Sequence, residues 1–414
     1  MTDDALRRSA GDADPGTAGV SGHREVDEAL LDDPARIDAA DPGFMLRAIA
    51  SGGPQIREAM ALASEADLAS LGDEGRPRSV VVAGVGTAAR TGDILATAAG
   101  PRCPVPVVAH RSAGIPGWVG AADMVLAVSA SGRSPEALAA AEAAARRGAR
   151  LVAIGAPESE LAALAERARA PFIPVPRRAP ARASLWALAV PVLLAGRALG
   201  LVRMAEADLV EAATRLDDDA ERCKINNDAF TNPAKSLALD LAGSLPVIWG
   251  STPLAAVAAG RFAEMLAANA RYPSVSDSLL EAGRGSVGLL DGVFGALAES
   301  ERDIFADEPE TPQGGRLRLV ILRDDGFESG TPAEDSDSDE PPAVESRRAE
   351  AVQQLAERRG VRCTVLRAEG ASPLERLASL TAVPDFASVY LALAHGFDPM
   401  AVPAVSEMKD FVTP

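Results

Sequence analysis

The chain has 414 residues, of which 47% are apolar and only 4% aromatic, and its formal net charge is −18 at pH 7. This length favours two domains over one, and the apolar content is enough for cores of closely packed alanine, valine and leucine. The strong acidity argues against a nucleic-acid-binding protein, which normally carries a basic surface.

The cysteines and the apolar stretches indicate the cellular compartment in which the protein is found. The chain has three cysteines, Cys103, Cys223 and Cys363. An odd, scattered set predicts neither a disulfide framework nor a metal site, so we expect reduced thiols and a cytoplasmic protein. The first residues lack the apolar core of a signal peptide, and Pro191 and Arg197 interrupt the longest apolar stretch. We therefore expect no signal peptide and no membrane contact.

The first quarter of the chain contains no strand-like segment before residue 76. Residues 1–30 are acidic and rich in glycine and alanine, which predicts disorder. Residues 31–75 are expected to form short N-terminal helices. Asp41 followed by Pro42 is typical of a helix N-cap with proline at the first helical position.

Strand-like and helix-like segments alternate between residues 76 and 200. The strand-like segments are SVVVAGVG, VPVVAHR, ADMVLAVSA, RLVAIGA and PFIPVP. This rhythm predicts βαβ units and a parallel sheet flanked by helices. An amphipathic bridging helix is expected within residues 201–230.

The strand and helix pattern restarts in residues 231–414, which are expected to form the second domain. The strand-like segments are LPVIWGS, RLRLVILR and VRCTVLRA. The run Glu334–Glu340 is charged and has no apolar anchors, so an acidic insert near residues 324–345 is predicted to be a disordered loop. The insert also lacks the spacing of a calcium loop. The fold class predicted is therefore α/β, with two domains of the same architecture.

The segment SASGRS, residues 129–134, stands where a predicted strand passes into a predicted helix. The hydroxyls of Ser129, Ser131 and Ser134 and the backbone at Gly132 would form an anion site at the helix N-terminus. Arg133 adds positive charge. The alternative is that Ser134 merely caps the helix before Pro135.

The first strand ends in a glycine turn that contains Gly84 and Gly86. Ala89 occupies the third glycine position of a dinucleotide-binding fingerprint, so the match to that motif is weak. A helix is expected to follow, as it follows the serine loop.

The serine loop resembles the phosphosugar-binding loop of sugar isomerase (SIS) domains. Further stretches that carry this resemblance are AGVGTAARTGD, RASLWALAVPVL, NPAKSLALDLAGSLPVIWGS, LAAVAAGRFAEMLAANARYP and YLALAHGFDPMAV. In order and spacing they resemble the bifunctional phosphoglucose/phosphomannose isomerases, which consist of two SIS domains. The resemblance implies a phosphosugar ligand, a homodimer, and neither a metal nor a cofactor.

The resemblance also implies roles for individual residues. Phosphate would be bound by Thr87, Ser129, Ser131, Gly132 and Ser134. Arg182 matches the active-site arginine of the family, and Lys409 matches the lysine of its C-terminal helix.

Two family residues that transfer protons are missing from this chain. The glutamate that acts as the base is replaced by Ala268 in the triplet Ala-Ala-Asn, and Arg284 replaces the histidine that opens the sugar ring. Glu264, one helical turn before Ala268, is the candidate substitute for the base, provided that the helix shifts or the substrate lies deeper. The alternative, which the sequence favours, is that Glu264 is a plain solvent-facing or salt-bridging residue.

Two functions remain open from the sequence, beside a third reading in which the protein is structural and binds nothing. The first is an aldose–ketose isomerase that converts glucose or mannose 6-phosphate to fructose 6-phosphate. The alternative is a non-catalytic phosphosugar-binding sensor or regulatory protein on the same fold, because fold alone does not fix function.

Overall fold

The computed structural model describes residues 26–66, 68–298, 316–326 and 342–412. It contains two parallel β-sheets, one of five strands and one of four, with helices packed against both. The prediction of an α/β chain with one parallel sheet in each of two domains is confirmed.

The described chain begins with helices that bury apolar side chains in the core of the protein. A 3₁₀ turn, Glu28–Asp32, is followed by α1 (Pro34–Ala40), α2 (Met45–Ala50), α3 (Gly52–Ser64) and α4 (Ser70–Asp73). The N–H of Asp27 donates to the carbonyl of Ala394 at 2.9 Å, and Leu30 and Leu31 are buried. The predicted disorder is therefore wrong for residues 26–30, while residues 1–25 lie outside the described part.

The helix predicted to begin at Pro42 begins three residues later. Asp41 still stabilises the helix start, because its buried carboxylate accepts the N–H groups of Met45 at 2.8 Å and Leu46 at 2.9 Å. The side chain thus satisfies two of the N–H groups that have no partner within the helix.

The first sheet has the strand order β2-β1-β3-β4-β5, and all of its pairs are parallel. Its strands are β1 (Val80–Ala83), β2 (Val107–His110), β3 (Met124–Ser129), β4 (Arg150–Gly155) and β5 (Phe172–Pro174). The helices that accompany them are α5 (Thr87–Ala99), α6 (Pro135–Arg146), α7 (Glu160–Ala168) and α8 (Leu185–Ala198). Every residue of β1 and β3 is buried, as expected for central strands covered on both faces.

The second sheet repeats this architecture in the order β7-β6-β8-β9. Its strands are β6 (Ser244–Gly250), β7 (Val275–Ser278), β8 (Arg316–Arg323) and β9 (Arg362–Arg367). Helices α9 (Glu206–Arg222) and α10 (Pro233–Leu241) precede it, and α11 (Pro253–Met265), α12 (Leu279–Ala282), α13 (Pro342–Arg358), α14 (Pro373–Ala394) and α15 (Pro403–Val412) accompany or follow its strands. The last turn of α11 continues as a π-helical turn, Leu266–Ala270.

The acidic insert is partly ordered where it joins the second sheet. Asp324 is buried, and residues 342–345 begin helix α13. The prediction of disorder across residues 324–345 is therefore wrong at both ends, and residues 327–341 lie outside the described part.

One continuous core lies between the two sheets. Alternate strand residues such as Val82 and Leu126 of the first sheet and Ile248 and Val320 of the second all belong to it. The opposite strand faces pack into two separate cores against α6 and α7 and against α12 and α13. The two domains are thus joined by buried apolar surface, which is the dominant stabilising contribution to folding.

Helix α14 runs through this central core. By length and apolar composition it could cross a membrane, but 94% of the residues in its apolar window are buried by the protein itself. The hydroxyl of Tyr390 on α14 donates to the carbonyl of Cys223 at 2.6 Å. The burial of α14 accounts for its apolar composition without a bilayer.

Candidate functional site

The first sheet changes direction between β1 and β3. From β1 the chain crosses through α5 to β2 on one side, and from β3 it crosses through α6 to β4 on the other. Val80 pairs with Met124 and Ala83 with Ala127, so the loops after β1 and β3 leave the sheet at one edge. Open α/β sheets bind ligands in the crevice at such a point. We call the space between residues 84–86 and 129–134 the β1/β3 crevice.

The serine loop forms a tight turn at this edge. Ser129 is buried, and its Oγ lies 3.4 Å from the Oγ of Ser131 and accepts the N–H of Ser134 at 3.3 Å. Gly132 has a φ of +64°, and a Cβ on it would lie 2.0 Å from Oγ of Ser159. The turn therefore requires glycine at position 132, both for its backbone conformation and for lack of space.

Ser134 occupies the N-cap position of α6 but does not cap the helix with its side chain. Its Oγ instead donates to the carboxylate of Glu136 at 2.6 Å. The interpretation of Ser134 as a plain helix cap is therefore wrong for its hydroxyl. The first-turn N–H groups of α6 remain without a partner from this side chain.

The glycine turn after β1 forms the opposite wall of the crevice. A side chain at Gly84 would meet the carbonyl of Val128 at 2.8 Å, so the two loops approach each other at their base. Gly86 has a φ of +58° and precedes Thr87, the first residue of α5. The Thr87 hydroxyl makes no hydrogen bond with any described residue. Helices α5 and α6 thus both begin at the crevice, and their positive ends favour an anion there.

Arg133 supplies exposed positive charge beside the crevice. Its side chain faces solvent and forms no ion pair within the described ranges. Two helix N-termini, several hydroxyls and one guanidinium are the groups that bind a phosphate dianion in proteins.

Arg182 lies between β5 and α8 and reaches into the second domain. Its Nε donates to Oδ1 of Asn269 at 2.8 Å, and its Nη2 donates to the carbonyls of Pro399 at 2.7 Å and Met400 at 2.9 Å. Burial lowers the pKa of the Arg182 guanidinium, and nearby Asp398 opposes this shift. Nη1 has no hydrogen-bond partner among the described residues, so it is the donor left for a ligand.

A buried ion pair supports the turn that carries Arg182. Arg261 donates to Oδ2 of Asp385 from Nε at 3.0 Å and from Nη2 at 2.5 Å, and the same Nη2 donates to the carbonyl of Arg182 at 3.1 Å. Burial raises the pKa of the Asp385 carboxyl, although Arg261 opposes the shift. Asn269, in turn, donates to the hydroxyl of Ser388 at 2.9 Å. The position of Arg182 is therefore fixed from the second domain.

Glu264, the candidate base, is engaged by the first domain. Nη2 of Arg90, on α5, donates to its carboxylate, while Nη1 donates to Asp93 at 3.1 Å. Gly260 on α11 leaves room for this arginine, since a Cβ there would lie 2.9 Å from Nη1. Arg90 was missed by sequence reasoning, although its position one turn after Thr87 places it beside the crevice.

The second half of the chain is similar to a known domain, and most of the chain is similar to a characterised relative. Residues 230–412 match the bacterial phospho-glucose isomerase C-terminal SIS domain. The bifunctional phosphoglucose/phosphomannose isomerase of Caldicellulosiruptor bescii is 26% identical over 80% of this chain and 88% of the relative. The chain is similar to these isomerases, and its second half matches one SIS domain. The resemblance inferred from its sequence is therefore confirmed.

Solved structures show the same fold as this chain. A hypothetical protein from Thermus thermophilus superposes with a TM-score of 0.65 at 16% identity, over 93% of this chain and 94% of the other. The C-terminal domain of glucosamine-fructose-6-phosphate aminotransferase from Francisella tularensis gives 0.60 at 12% identity, over 86% and 97%. At these identities the likeness concerns the fold alone.

The remaining predicted site residues of this chain are not gathered at the crevice. Ala268 lies in the π-helical turn after α11, and Arg284 is exposed. Lys409 lies on α15, but its side chain is outside the described part. Thr87 and the serine loop therefore share one sheet edge. Arg182 and Glu264 link the first domain to the second. For Lys409 the structure gives only its place on helix α15.

Proposed function

We propose that this protein binds a hexose 6-phosphate in the β1/β3 crevice. The observation that carries the proposal is the convergence of two glycine-containing turns and two helix N-termini at one edge of the sheet. Phosphate would accept hydrogen bonds from the hydroxyls of Thr87 and Ser131, and from Ser134 once that hydroxyl exchanges its bond to Glu136 for one to phosphate, while buried Ser129 and Gly132 shape the turn. A hexose 6-phosphate is also the kind of ligand named for the C. bescii relative, a phosphoglucose/phosphomannose isomerase.

Binding without turnover is the function that the geometry supports best. Isomerisation moves a proton between C1 and C2 of the open-chain sugar and needs a base within reach of both carbons. The chain has Ala268 where the family has its base, and Glu264, the candidate substitute, is held in an ion pair with Arg90. The proposal is therefore a phosphosugar-binding sensor or regulatory protein.

Isomerase activity is the second candidate, favoured by the position of Glu264. Its helix α11 packs against α5, which begins at Thr87 beside the crevice. In this version Glu264 is the base, and Nη1 of Arg182 stabilises the negative charge of the enediolate, as a fixed guanidinium can. Lys409 would join them from α15.

We also propose a homodimer, supported by the exposed face of α15. Val405, Met408 and Phe411 are 42%, 60% and 90% exposed on this ten-residue helix. So short a helix is marginal in water without packing of its apolar face, and a second copy of the chain would supply that packing. The three unpaired cysteines fit the proposed location in the reducing cytoplasm.

Two measurements on the purified protein test these functions. Fructose 6-phosphate at millimolar concentration should raise the melting temperature, whereas fructose without phosphate should not. Coupled assays with glucose, mannose and fructose 6-phosphates should show no turnover. Turnover that disappears in Glu264→Gln would establish the isomerase instead, and an unchanged melting temperature would refute binding.

A further inference from the structure

The second sheet also has a switch point, between β6 and β8. The chain leaves β6 through α11 towards β7 and leaves β8 through α13 towards β9. This β6/β8 crevice, at the ends of those two strands, is the counterpart of the β1/β3 crevice. The same rule for open α/β sheets therefore marks it as a place where a ligand could bind.

Strand pairing identifies which residues of the two crevices correspond. In the first sheet Ala83 pairs with Ala127, and Ser129 follows two residues later. In the second sheet Gly250 pairs with Leu322, and Asp324 follows two residues later. Asp324 therefore occupies the position of the first serine of the phosphate loop.

The Asp324 carboxylate is bound by groups of the kind that bind phosphate. Its Oδ2 accepts the hydroxyl of Thr252 at 3.1 Å, and its Oδ1 accepts Nε of Arg376 at 2.8 Å and the N–H of Gly326 at 3.1 Å. The Asp324 side chain is 6% exposed and that of Arg376 is 13% exposed. One hydroxyl, one amide and one guanidinium thus converge on a buried anion that belongs to the chain.

The backbone holds Asp324 in this place from the β6 side. The N–H of Asp324 donates to Oγ of Ser251 at 2.8 Å. Ser251 and Thr252 are the residues that follow β6, just as the glycine turn follows β1 in the first sheet. Both strand ends therefore contribute to the enclosure of the carboxylate.

We infer that Asp324 is an internal anion that fills the phosphate position of the second domain and restricts phosphosugar binding to the first. An external phosphate would be repelled there by the negative charge of the Asp324 carboxylate. The groups that could donate hydrogen bonds to the phosphate, Thr252, Gly326 and Arg376, already donate to Asp324. Removal of the carboxylate leaves Thr252, Gly326 and Arg376 without their anion, and so creates a second anion site.

Phosphate rescue of an Asp324→Ala variant tests this inference. The variant should melt below the wild type, since Arg376 loses a buried partner. Addition of 10 mM inorganic phosphate should then raise its melting temperature by about 1–2 °C more than it raises that of the wild type, if phosphate binds in the low millimolar range. Sodium chloride at equal ionic strength controls for screening of charges.

Asp325→Ala is the matched control. Asp325 is the neighbouring residue, and it accepts Nε of Arg323 at 2.5 Å and the hydroxyl of Ser346 at 2.8 Å rather than the groups at Asp324. This variant should lose stability without gaining a phosphate response. If Asp324→Ala does not fold, Asp324→Ser, which places the residue of position 129 there, provides the same comparison.

The outcome is independent of the proposed function of the first crevice. A phosphate response in Asp324→Ala or Asp324→Ser that exceeds the wild-type response supports the inference, even if the wild type does not respond at all. Equal phosphate responses in the variant, the control and the wild type would overturn it.

Discussion

Arg90 on α5 and Glu264 on α11 form an ion pair that links the first domain to the second beside the β1/β3 crevice. Their side chains are 15% and 47% exposed, so the pair is partly screened by solvent. Glu264 lies four residues before Ala268, and in this structure it serves as a partner for Arg90. The role that the structure gives to Glu264 is therefore structural, as one partner of an ion pair between the two domains.

The first prediction concerns Glu264→Gln. Because the ion pair is partly exposed, its loss should lower the free energy of unfolding by only about 0.5–1 kcal/mol. The affinity for hexose 6-phosphate should stay within about twofold, since Glu264 is not a phosphate ligand. Urea unfolding and calorimetry measure these quantities, and a large loss of affinity would contradict the assignment of the phosphate site to the first domain.

The second prediction concerns Ser131→Ala. A hydrogen bond to a charged group contributes about 1.5–3 kcal/mol, so loss of this hydroxyl should weaken hexose 6-phosphate binding by about 10- to 100-fold. Stability should change little, because Ser131 is only partly buried. Ser64→Ala removes a hydroxyl from the exposed end of α3 and should leave the affinity unchanged. Equal affinities for both variants would count against the serine loop.

The third prediction compares two glycines with nearly the same backbone. Gly132 and Gly148 have φ values of +64° and +67°, but a Cβ at Gly148 would meet nothing within 4 Å. Gly148→Ala should destabilise the protein by about 1–2 kcal/mol through backbone strain alone. Gly132→Ala adds a clash with Ser159 and should lose both more stability and phosphosugar binding. Thermal melts and calorimetry of the pair measure the difference, and identical losses would exclude the clash.

The fourth prediction concerns the pH dependence of stability. Asp219 on α9 is buried, and burial raises the pKa of its carboxyl to about 6, although Arg222 opposes the shift. The folded protein therefore keeps this proton at a pH where the unfolded chain, with a pKa near 3.8, has lost it. The stabilising effect of this bound proton on the free energy of unfolding is fully present below about pH 4 and declines between about pH 4 and about pH 6. Above that range the protein is less stable by about 3 kcal/mol than it is below about pH 4.

Asp219→Asn isolates this contribution. Relative to the wild type, the variant should gain stability as the pH rises from about 4 to about 7, because the amide cannot ionise. Urea unfolding midpoints of both proteins at about pH 4.5 and about pH 7.5 measure this gain. A difference between the two proteins that does not change with pH would show that Asp219 does not titrate in this range.

The strands and the serine loop could be predicted because their signals are local. Buried parallel strands are continuous apolar runs, and the serine loop, residues 129–134, directly follows such a run. Strand β7 was missed because its sequence VSDS is polar and two of its residues are exposed at the sheet edge. The start of α2 was misplaced because Asp41 caps it from four residues before Met45.

The contacts that assign roles to the site residues are not local. Arg90 and Glu264 are 174 positions apart, and Arg182 and Asn269 are 87 apart. No periodicity or spacing in one sequence reports such pairs, since they depend on how the two domains pack. The engagement of Glu264 and the anchoring of Arg182 therefore became visible only in the folded chain.

Titration calorimetry with fructose 6-phosphate tests the central claim most directly. We predict saturable binding of one sugar phosphate per chain, with an affinity that falls at least about tenfold in Ser131→Ala and is absent for fructose without phosphate. No heat of binding at millimolar fructose, glucose or mannose 6-phosphate would contradict a phosphosugar site in the β1/β3 crevice.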